Sequence, residues 1–331
     1  MATIPVVPTN TNTHVSTNFS KLLEPGLRKI FFETYKEIPE QFSKIYNMNT
    51  SKKAKETDYG LGAFGDWVER GDELDTVAYA KISAGQERTY THKAFTKGFI
   101  IGRELYDDEQ YGQMKKMAKA LARAGRAKVE KDAMQPLKGG FDTYTIYDGK
   151  ALFSNEHPLV DNSTAKGKNL VEGALTEANL KKAMQVMRET VDEAGNLIQL
   201  IPDTLIVPPA LEHVAKAIIN STQITGSNNN DVNTLKGSMK IQVMDYLGKA
   251  AGGSDTAWFI QDSTRHELNF FWRVKPEFKS TEEFDNFTAK YRGYMRYSYG
   301  VSDWRGLVGS KGETSTGGSG GGSGSGGGGT L

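Results

Sequence analysis

The stretch LFSNEHP places Ser154 and His157 three residues apart. A serine hydroxyl beside an imidazole is the pairing that nucleophilic hydrolysis uses, because the imidazole can accept the hydroxyl proton. Serine hydrolases usually present the serine on a glycine-flanked turn, and Ser154 has no glycine neighbour. Pro158 also biases His157 towards extended backbone. The pattern therefore favours a turn in which the side chains of Ser154 and Asn155 bond nearby backbone. A serine hydrolase centred on Ser154 is the distant alternative.

Two further patterns could bind ligands, but both lack the surroundings that binding needs. The stretch GLGAFG at residues 60–65 fits the dinucleotide pattern G-x-G-x-x-G, which requires a preceding strand and a following helix N-terminus. The flanking residues KAKETDY and DWVERGDEL predict neither element. The five histidines are widely dispersed, and the chain contains no cysteine. We therefore predict no catalytic residue, no cofactor-binding residue and no metal ligand.

Composition and charge limit the class of protein. The 331 residues are 37% hydrophobic and 24% charged, which is typical of a soluble globular protein with one large core or two smaller ones. The formal net charge of +1 argues against binding of nucleic acid or membrane over the whole surface. No apolar run approaches the ~20 residues of a membrane span, and the N-terminus lacks the pattern of a secretion signal.

The N-terminal third of the chain is predicted to be extended rather than compact. Residues 1–50 form an arm with a short helical pattern and proline breaks, and residues 51–102 are rich in Gly, Thr, Tyr and charge. Within the second segment, RTYTHKAFTKGFIIG alternates like a half-exposed strand, which indicates a two-stranded projection. Neither segment has a self-contained apolar face, so we expect both to be ordered only by neighbouring molecules.

A long helix is predicted for residues 103–137, with Pro136 and the glycines after it as the stop signal. An advance of about 100° per residue gathers five basic side chains on one stripe: Lys115, Lys116, Lys119, Arg123 and Arg126. The opposite, packing side holds Met114, Met117, Ala118, Leu121 and Gly125. The basic stripe is either a solvated face or a surface that binds polyanions.

The rest of the chain alternates helix and strand, which predicts an α+β body. Leu180, Ala183 and Met187 have helical spacing, and TLIVPPALEHVAKAII reads as a strand, a proline turn and a helix. The segments MKIQVMDYL, TAWFIQD, HELNFFWRV and FTAKYRGYMRYSYGVSDW read as strands. Residues 311–331 form a Gly/Ser-rich tail that is predicted to be flexible.

This order of arm, extended hairpin, long helix and α/β body, with LFSNEHPL directly after the helix and IPDTLIVPPALE later, resembles the Mu-type major head subunit family of tailed-phage capsid proteins. The resemblance covers about residues 15–310. It implies the Hong Kong 97-type capsid fold and a major capsid protein, a structural subunit that self-assembles into the icosahedral head shell enclosing the genome. LFSNEHP would then be a connector in a protein that is not an enzyme. An encapsulin-type nanocompartment subunit shares the fold and is the alternative.

The resemblance also implies a division of the chain. The segments are the N-terminal arm 1–50, the extended loop 51–102 over a neighbouring subunit, the peripheral domain 103–174 with spine helix 103–137, the axial domain 175–275, the return to the peripheral domain 276–310, and the tail 311–331.

The implied partners are those of a phage head. They are copies of the chain itself in hexamers and pentamers, a portal protein, and double-stranded DNA bound non-specifically at the inner surface, with no membrane contact. A separate scaffolding protein is implied because the arm starts within the first few dozen residues. The five basic stripe residues would face the interior, towards DNA or scaffold. The protein would reside in the virion, and in the host cytoplasm during assembly.

Overall fold

The computed structural model describes residues 19–61, 67–71, 79, 84–108, 110–159, 166–223, 232–283 and 288–312. The helices are α1 (Phe19–Glu37), α2 (Arg103–Asp107), α3 (Tyr111–Ala133), α4 (Gln135–Gly139), α5 (Glu177–Arg188) and α6 (Glu212–Asn220). The strands are β1 (Asn47–Thr50), β2 (Lys55–Leu61), β3 (Ala84–Thr91), β4 (Lys93–Gly102), β5 (His157–Pro158), β6 (Lys166–Gly167), β7 (Thr204–Val207), β8 (Lys240–Val243), β9 (Trp258–Gln261), β10 (Leu268–Glu283), β11 (Thr288–Val301) and β12 (Leu307–Ser310). Within this described part, no helix is both long and apolar enough to cross a membrane.

The largest sheet has the strand order β1-β10-β11-β4 and is built around one long ribbon. Strands β10 and β11 pair antiparallel, from Leu268 opposite Val301 to Glu283 opposite Thr288, with register shifts between Trp272 and Glu277. Strand β1 adds parallel to the start of β10, and β4 adds antiparallel to β11. A second sheet has the order β12-β9-β7-β8, and β2 pairs with β3 as a separate hairpin.

Three apolar clusters form the cores of the described chain. The first cluster packs the C-terminal half of α3 and the segment after it against the base of the β10–β11 ribbon, around Phe270 and Tyr297. The second cluster packs α5 and α6 against the second sheet, around Trp258. The third cluster joins α1 and α3 to the outer part of the ribbon, around Phe278 and Tyr291. The ribbon therefore contributes to both the first and the third cluster.

The predicted helix 103–137 is wrong as a single element, because it is three helices in the structure. The chain leaves helical geometry between α2 and α3, and α3 ends before Met134. Pro136 then lies in the first turn of α4. A proline has no backbone N–H to donate to the preceding turn, so it ends one helix but is tolerated at the start of the next.

The alternating stretch RTYTHKAFTKGFIIG is also two strands rather than one. Strand β3 pairs with β2 in the hairpin, whereas β4 pairs with β11 in the main sheet. His92 lies between the two strands and is buried, with ring nitrogens 3.1 Å from the Ser51 hydroxyl and 2.9 Å from the Ser298 hydroxyl. This buried contact holds the chain where it passes from the hairpin into the sheet.

Candidate assembly surface

Helix α3 is covered on one side by the N-terminal arm of its own chain. Helix α1 buries Leu27, Phe31 and Tyr35 in the third cluster, and the Phe31 ring lies 5.2 Å from that of Phe278 on β10. Strand β1 then joins the main sheet. The expectation that the arm and the loop are ordered only by neighbouring molecules is therefore wrong for residues 19–50, because α3 and the ribbon supply the surface that the apolar side of the arm needs. It is also wrong for residues 93–102 of the loop, which pair with β11 as strand β4.

Four of the five predicted stripe residues lie on the exposed side of α3, namely Lys115, Lys116, Lys119 and Arg123. None of the four forms an ion pair with another residue that the structure describes. Lys128 and Lys131 are also exposed, whereas the two acidic residues of the helix, Glu130 and Asp132, are buried. Every exposed charged side chain of α3 is therefore basic. Met117, predicted to face the core, remains 37% exposed because it lies at the border of the packing side.

The prediction is wrong for Arg126, which belongs to the interior of the subunit rather than to the exposed stripe. Its guanidinium donates to the Glu40 carboxylate at 2.7 Å and to the Tyr35 carbonyl at 3.2 Å. The guanidinium carbon also lies 4.1 Å from the centre of the Tyr35 ring, within the range of a cation–π interaction. Arg126 therefore fixes the C-terminal end of α1, and the turn after it, to α3.

Glu130, one turn further along α3, holds the next part of the arm. Its two carboxylate oxygens accept the backbone N–H groups of Gln41 (2.9 Å) and Phe42 (3.1 Å). Burial raises the pKa of the Glu130 carboxyl, and the two N–H bonds oppose that rise. Arg126 and Glu130 thus clamp residues 35–42 through polar contacts that the sequence pattern did not reveal.

The histidine of LFSNEHP is part of a buried polar cluster. Its Nδ1 lies 2.6 Å from an Asp148 carboxylate oxygen and its Nε2 lies 3.1 Å from the Asn169 side-chain oxygen. The imidazole and the Asp148 side chain are 0% and 2% exposed. The ring also stacks on the indole of Trp304, with centroids 4.6 Å and planes 5° apart. The buried imidazole of His157 therefore links three separate segments of the chain, through its contacts with Asp148, Asn169 and Trp304.

The same contacts exclude a Ser154–His157 nucleophile pair in this structure. The Ser154 hydroxyl accepts the N–H of Glu156 at 3.1 Å, and the Ser154 N–H donates to Asn169 at 2.8 Å. Both imidazole nitrogens are already occupied, so neither is left to accept the serine proton. The turn interpretation describes Ser154 correctly but misses the role of His157. Asp148 and Asn169 carried no sequence signal, because their meeting depends on tertiary packing.

The other ligand patterns do not form sites among the described residues. No group of three or more His, Asp or Glu side chains there could hold a metal ion. Strand β2 does precede GLGAFG, contrary to expectation, but residues 62–66 lie outside the described part and residues 67–71 are not helical. The helix N-terminus that would bind a pyrophosphate is therefore not formed at residues 67–71.

The described part of residues 51–102 presents large apolar side chains to solvent. Trp67 is fully exposed, Val68 is 74% exposed, and Tyr79 is 90% exposed. The β2–β3 hairpin that carries this segment is anchored at its base, where the Tyr90 hydroxyl bonds Ser302. Apolar side chains with this exposure are typical of surfaces that bind another molecule.

Comparison with known proteins is consistent with these features. A family model described as a phage capsid protein matches residues 85–310. The chain is 22% identical over 305 residues to the major capsid protein of Escherichia phage Mu, covering 69% of this chain and 97% of that protein. It is 27% identical over 177 residues to the Mu-like prophage FluMu major head subunit of Haemophilus influenzae, covering 50% of this chain and 54% of that protein.

Solved structures show the same likeness at the level of fold. The procapsid of bacteriophage JBD30 matches with a TM-score of 0.50 and 16% identity, covering 91% of this chain and 78% of that chain. A structure from Microbacterium phage Oxtober96 matches with a TM-score of 0.52 and 8% identity, covering 83% of this chain and 93% of that chain. The capsid of Cyanophage P-SCSP1u matches with a TM-score of 0.51 and 13% identity, covering 83% of this chain and 88% of that chain.

Proposed function

Because the chain belongs to the phage capsid protein family and is the major capsid protein of a tailed-phage head, we propose that the exposed basic stripe of α3 faces the interior of the shell. The α+β, Hong Kong 97-type fold implied by the sequence resemblance is confirmed, and the protein is a virion component that assembles with itself. The proposal concerns Lys115, Lys116, Lys119 and Arg123, and it omits Arg126.

The observation that carries this proposal is the charge of α3. All exposed charged side chains of the helix are basic, and the four stripe residues have no acidic partner among the described residues. A solvated helix face usually mixes both signs, because pairs of opposite charge support the helix. A stripe of one sign attracts polyanions through phosphate charge and counterion release, without reading sequence. The partners that fit are packaged double-stranded DNA and the acidic surface of a separate scaffolding protein.

Charge reversal on the stripe tests the proposal. Lys119→Glu with Arg123→Glu should leave the subunit soluble and folded, because both side chains are exposed. The yield of scaffolded procapsids or of stably DNA-filled heads should fall at physiological salt. A matched control is Lys182→Glu with Lys240→Glu, two exposed lysines of the second cluster region that form no ion pair with another described residue. Wild-type yields of both particles from the stripe variant would show that the stripe is only a solvated face.

We also propose the domain division that the family implies. Residues 1–50 act as the arm, 51–102 as the extended loop, which reaches a neighbouring subunit and returns to its own main sheet through β4, and 175–275 as the axial domain, while 103–174 and 276–310 form the peripheral domain. The second apolar cluster supports this division, because nearly all its members fall between Val171 and Ile260. The third cluster, which has no member between residues 175 and 275, supports a separate peripheral body, whereas the first cluster contains residues from both sides of the boundary, such as Phe153 and Phe259.

Removal of the outer loop tests the division. A variant in which a two-residue Asn-Gly turn replaces residues 62–83 keeps the pairing of β2 with β3 up to Leu61 opposite Ala84, so the subunit should fold and stay soluble. It should form no closed shell, because the contact of the loop with a neighbour is lost. Closed shells of normal size in electron micrographs of the purified variant would contradict the assignment.

We propose the remaining partners from membership of the phage capsid protein family. Copies of the chain would form hexamers and pentamers, one vertex would hold the portal protein, and assembly would take place in the host cytoplasm. We propose no enzymatic role, and the occupied nitrogens of His157 support that view.

A further inference from the structure

An apolar groove lies beside the basic stripe, between the arm, α3 and the main sheet. Its volume is about 650 Å³. Phe31 of α1, Phe95 of β4, Leu121 of α3 and Met295 of β11 line it. No other described segment fills this groove. Covering aliphatic and aromatic surface of this kind is favourable, because it removes apolar area from water.

The groove also contains a buried polar group without a partner. Tyr35 lines it and is 8% exposed, and its hydroxyl has no hydrogen-bond partner among the described residues. Burial raises the pKa of this hydroxyl to about 12, so it remains a neutral donor. A buried hydroxyl without a bond is unfavourable, and an occupant that brings an acceptor would relieve that cost.

The rim of the groove is basic. Lys97 and Lys131 line it, and neither forms an ion pair with another described residue. Lys128 is paired with Asp132 at 2.7 Å, and the rim carboxylate of Glu277 is 3.5 Å from the amine of Lys279. The two unpaired lysines therefore favour an occupant that is both apolar and acidic.

The extended loop of this chain has those properties. Trp67 is fully exposed and Val68 is 74% exposed. Residues 66–75 read DWVERGDELD, with five carboxylates and a single arginine. The hairpin leaves the start of β4 towards Ser302, which the Tyr90 hydroxyl bonds, whereas the groove lies in the opposite direction along β11, at Gly293–Met295. The direction of the hairpin therefore favours a neighbouring copy, rather than the same subunit, as the source of a Trp67–Val68 segment in the groove.

We propose that this groove receives the Trp67–Val68 segment of the extended loop from a neighbouring copy of the chain. The indole fills the apolar groove, and the carboxylates around it meet Lys97 and Lys131. The inference rests on the proposed role of residues 51–102 and deepens it, since it names the surface that the loop binds. Charge complementarity fixes which part of the loop enters and which groove accepts it.

The absence of cysteine from the chain allows a direct test by cross-linking. Val68→Cys and Thr96→Cys are single variants, one in the extended loop and one on the groove rim, and both leave Trp67 and the apolar floor unchanged. Shells co-assembled from the two variants and mildly oxidised should yield covalent dimers on a non-reducing gel. Shells of either variant alone should yield none. Val214→Cys, an exposed position on α6, replaces Thr96→Cys in the matched control mixture.

The outcomes separate the inference from the proposed role of the loop. Shells without dimers, or with as many dimers in the Val214→Cys mixture, would overturn the groove assignment while leaving the loop over a neighbour intact. Closed shells from the variant that lacks residues 62–83 would instead overturn the role of the loop itself. As a second measurement, Trp67→Ala should raise the subunit concentration needed for assembly by about tenfold or more. Tyr79→Ala, an exposed aromatic of the same loop, should raise it less than about threefold, and equal effects would count against the groove.

Discussion

Replacement of Arg126 by alanine should detach the arm from α3 and destabilise the unassembled subunit. The change breaks the 2.7 Å ion pair with Glu40, the bond to the Tyr35 carbonyl and the contact with the Tyr35 ring. Loss of one partner of a fully buried pair costs roughly 3–5 kcal/mol. The Glu40 side chain is 35% exposed, so its carboxylate stays partly hydrated and the cost is smaller. With the lost ring contact included, we expect about 3 kcal/mol.

Urea unfolding of the subunit measures this cost, and Arg123→Ala is the matched control. Arg123 is exposed three residues earlier on the same helix, so its removal should change the free energy of unfolding by less than about 0.5 kcal/mol. Arg126→Lys should fall between the two, because a lysine keeps the charge but loses the planar contacts. Limited proteolysis should also cut residues 35–42 faster in Arg126→Ala. Equal unfolding midpoints for the two alanine variants would refute the clamp.

Two further perturbations test the cores. Burial lowers the pKa of His266 from 6.5 to about 4. As the pH falls, the unfolded chain therefore binds a proton at this histidine at a higher pH than the folded chain does. His266 should therefore contribute roughly 3 kcal/mol above pH 6.5 that is lost as the pH falls towards 4, and urea midpoints of His266→Asn should show a flatter pH profile over that window. Gly167→Ala should cost about 1–3 kcal/mol, because its Cβ would lie 2.2 Å from the Trp304 ring. A thermal midpoint equal to that of the exposed-glycine control Gly112→Ala would contradict this packing argument.

The difference between the predicted and the observed basic stripe shows that helical periodicity predicts which side chains share a face but not whether another segment covers that face. Arg126 is eleven residues from Lys115, which places it only about 20° away around the helix axis. A periodicity argument cannot separate the two, because it describes the helix and not what covers it. Residues 35–42 of the arm cross α3 at Arg126 and Glu130 and bury Arg126, while Lys115 remains exposed.

Local patterns were reliable where neighbours in sequence are also neighbours in space. The strand of TLIVPP, the helix around Leu180 and strand β11 lie where the sequence pattern predicted them, whereas β10 begins within HELNFFWRV and continues beyond it to Glu283. The split at His92 and the Asp148–His157–Asn169 cluster were not predicted, because their partners are distant in sequence. The basic-rimmed groove is equally invisible in the sequence, since four separate elements line it.

The β10–β11 ribbon has a mechanical consequence for a shell filled with DNA. Strand β10 has sixteen residues, a length of roughly 50 Å. Hydrogen bonds between antiparallel strands run perpendicular to them, so tension along the ribbon loads many rungs in shear at once instead of peeling them singly. Strand β1 pairs with the start of β10, and β4 pairs with β11 from Thr288 to Tyr297. The register shifts near Val274 interrupt the regular hydrogen bonding between β10 and β11. In a wall whose plane contains the ribbon, tension from internal pressure would therefore be shared among the many hydrogen bonds between β10 and β11.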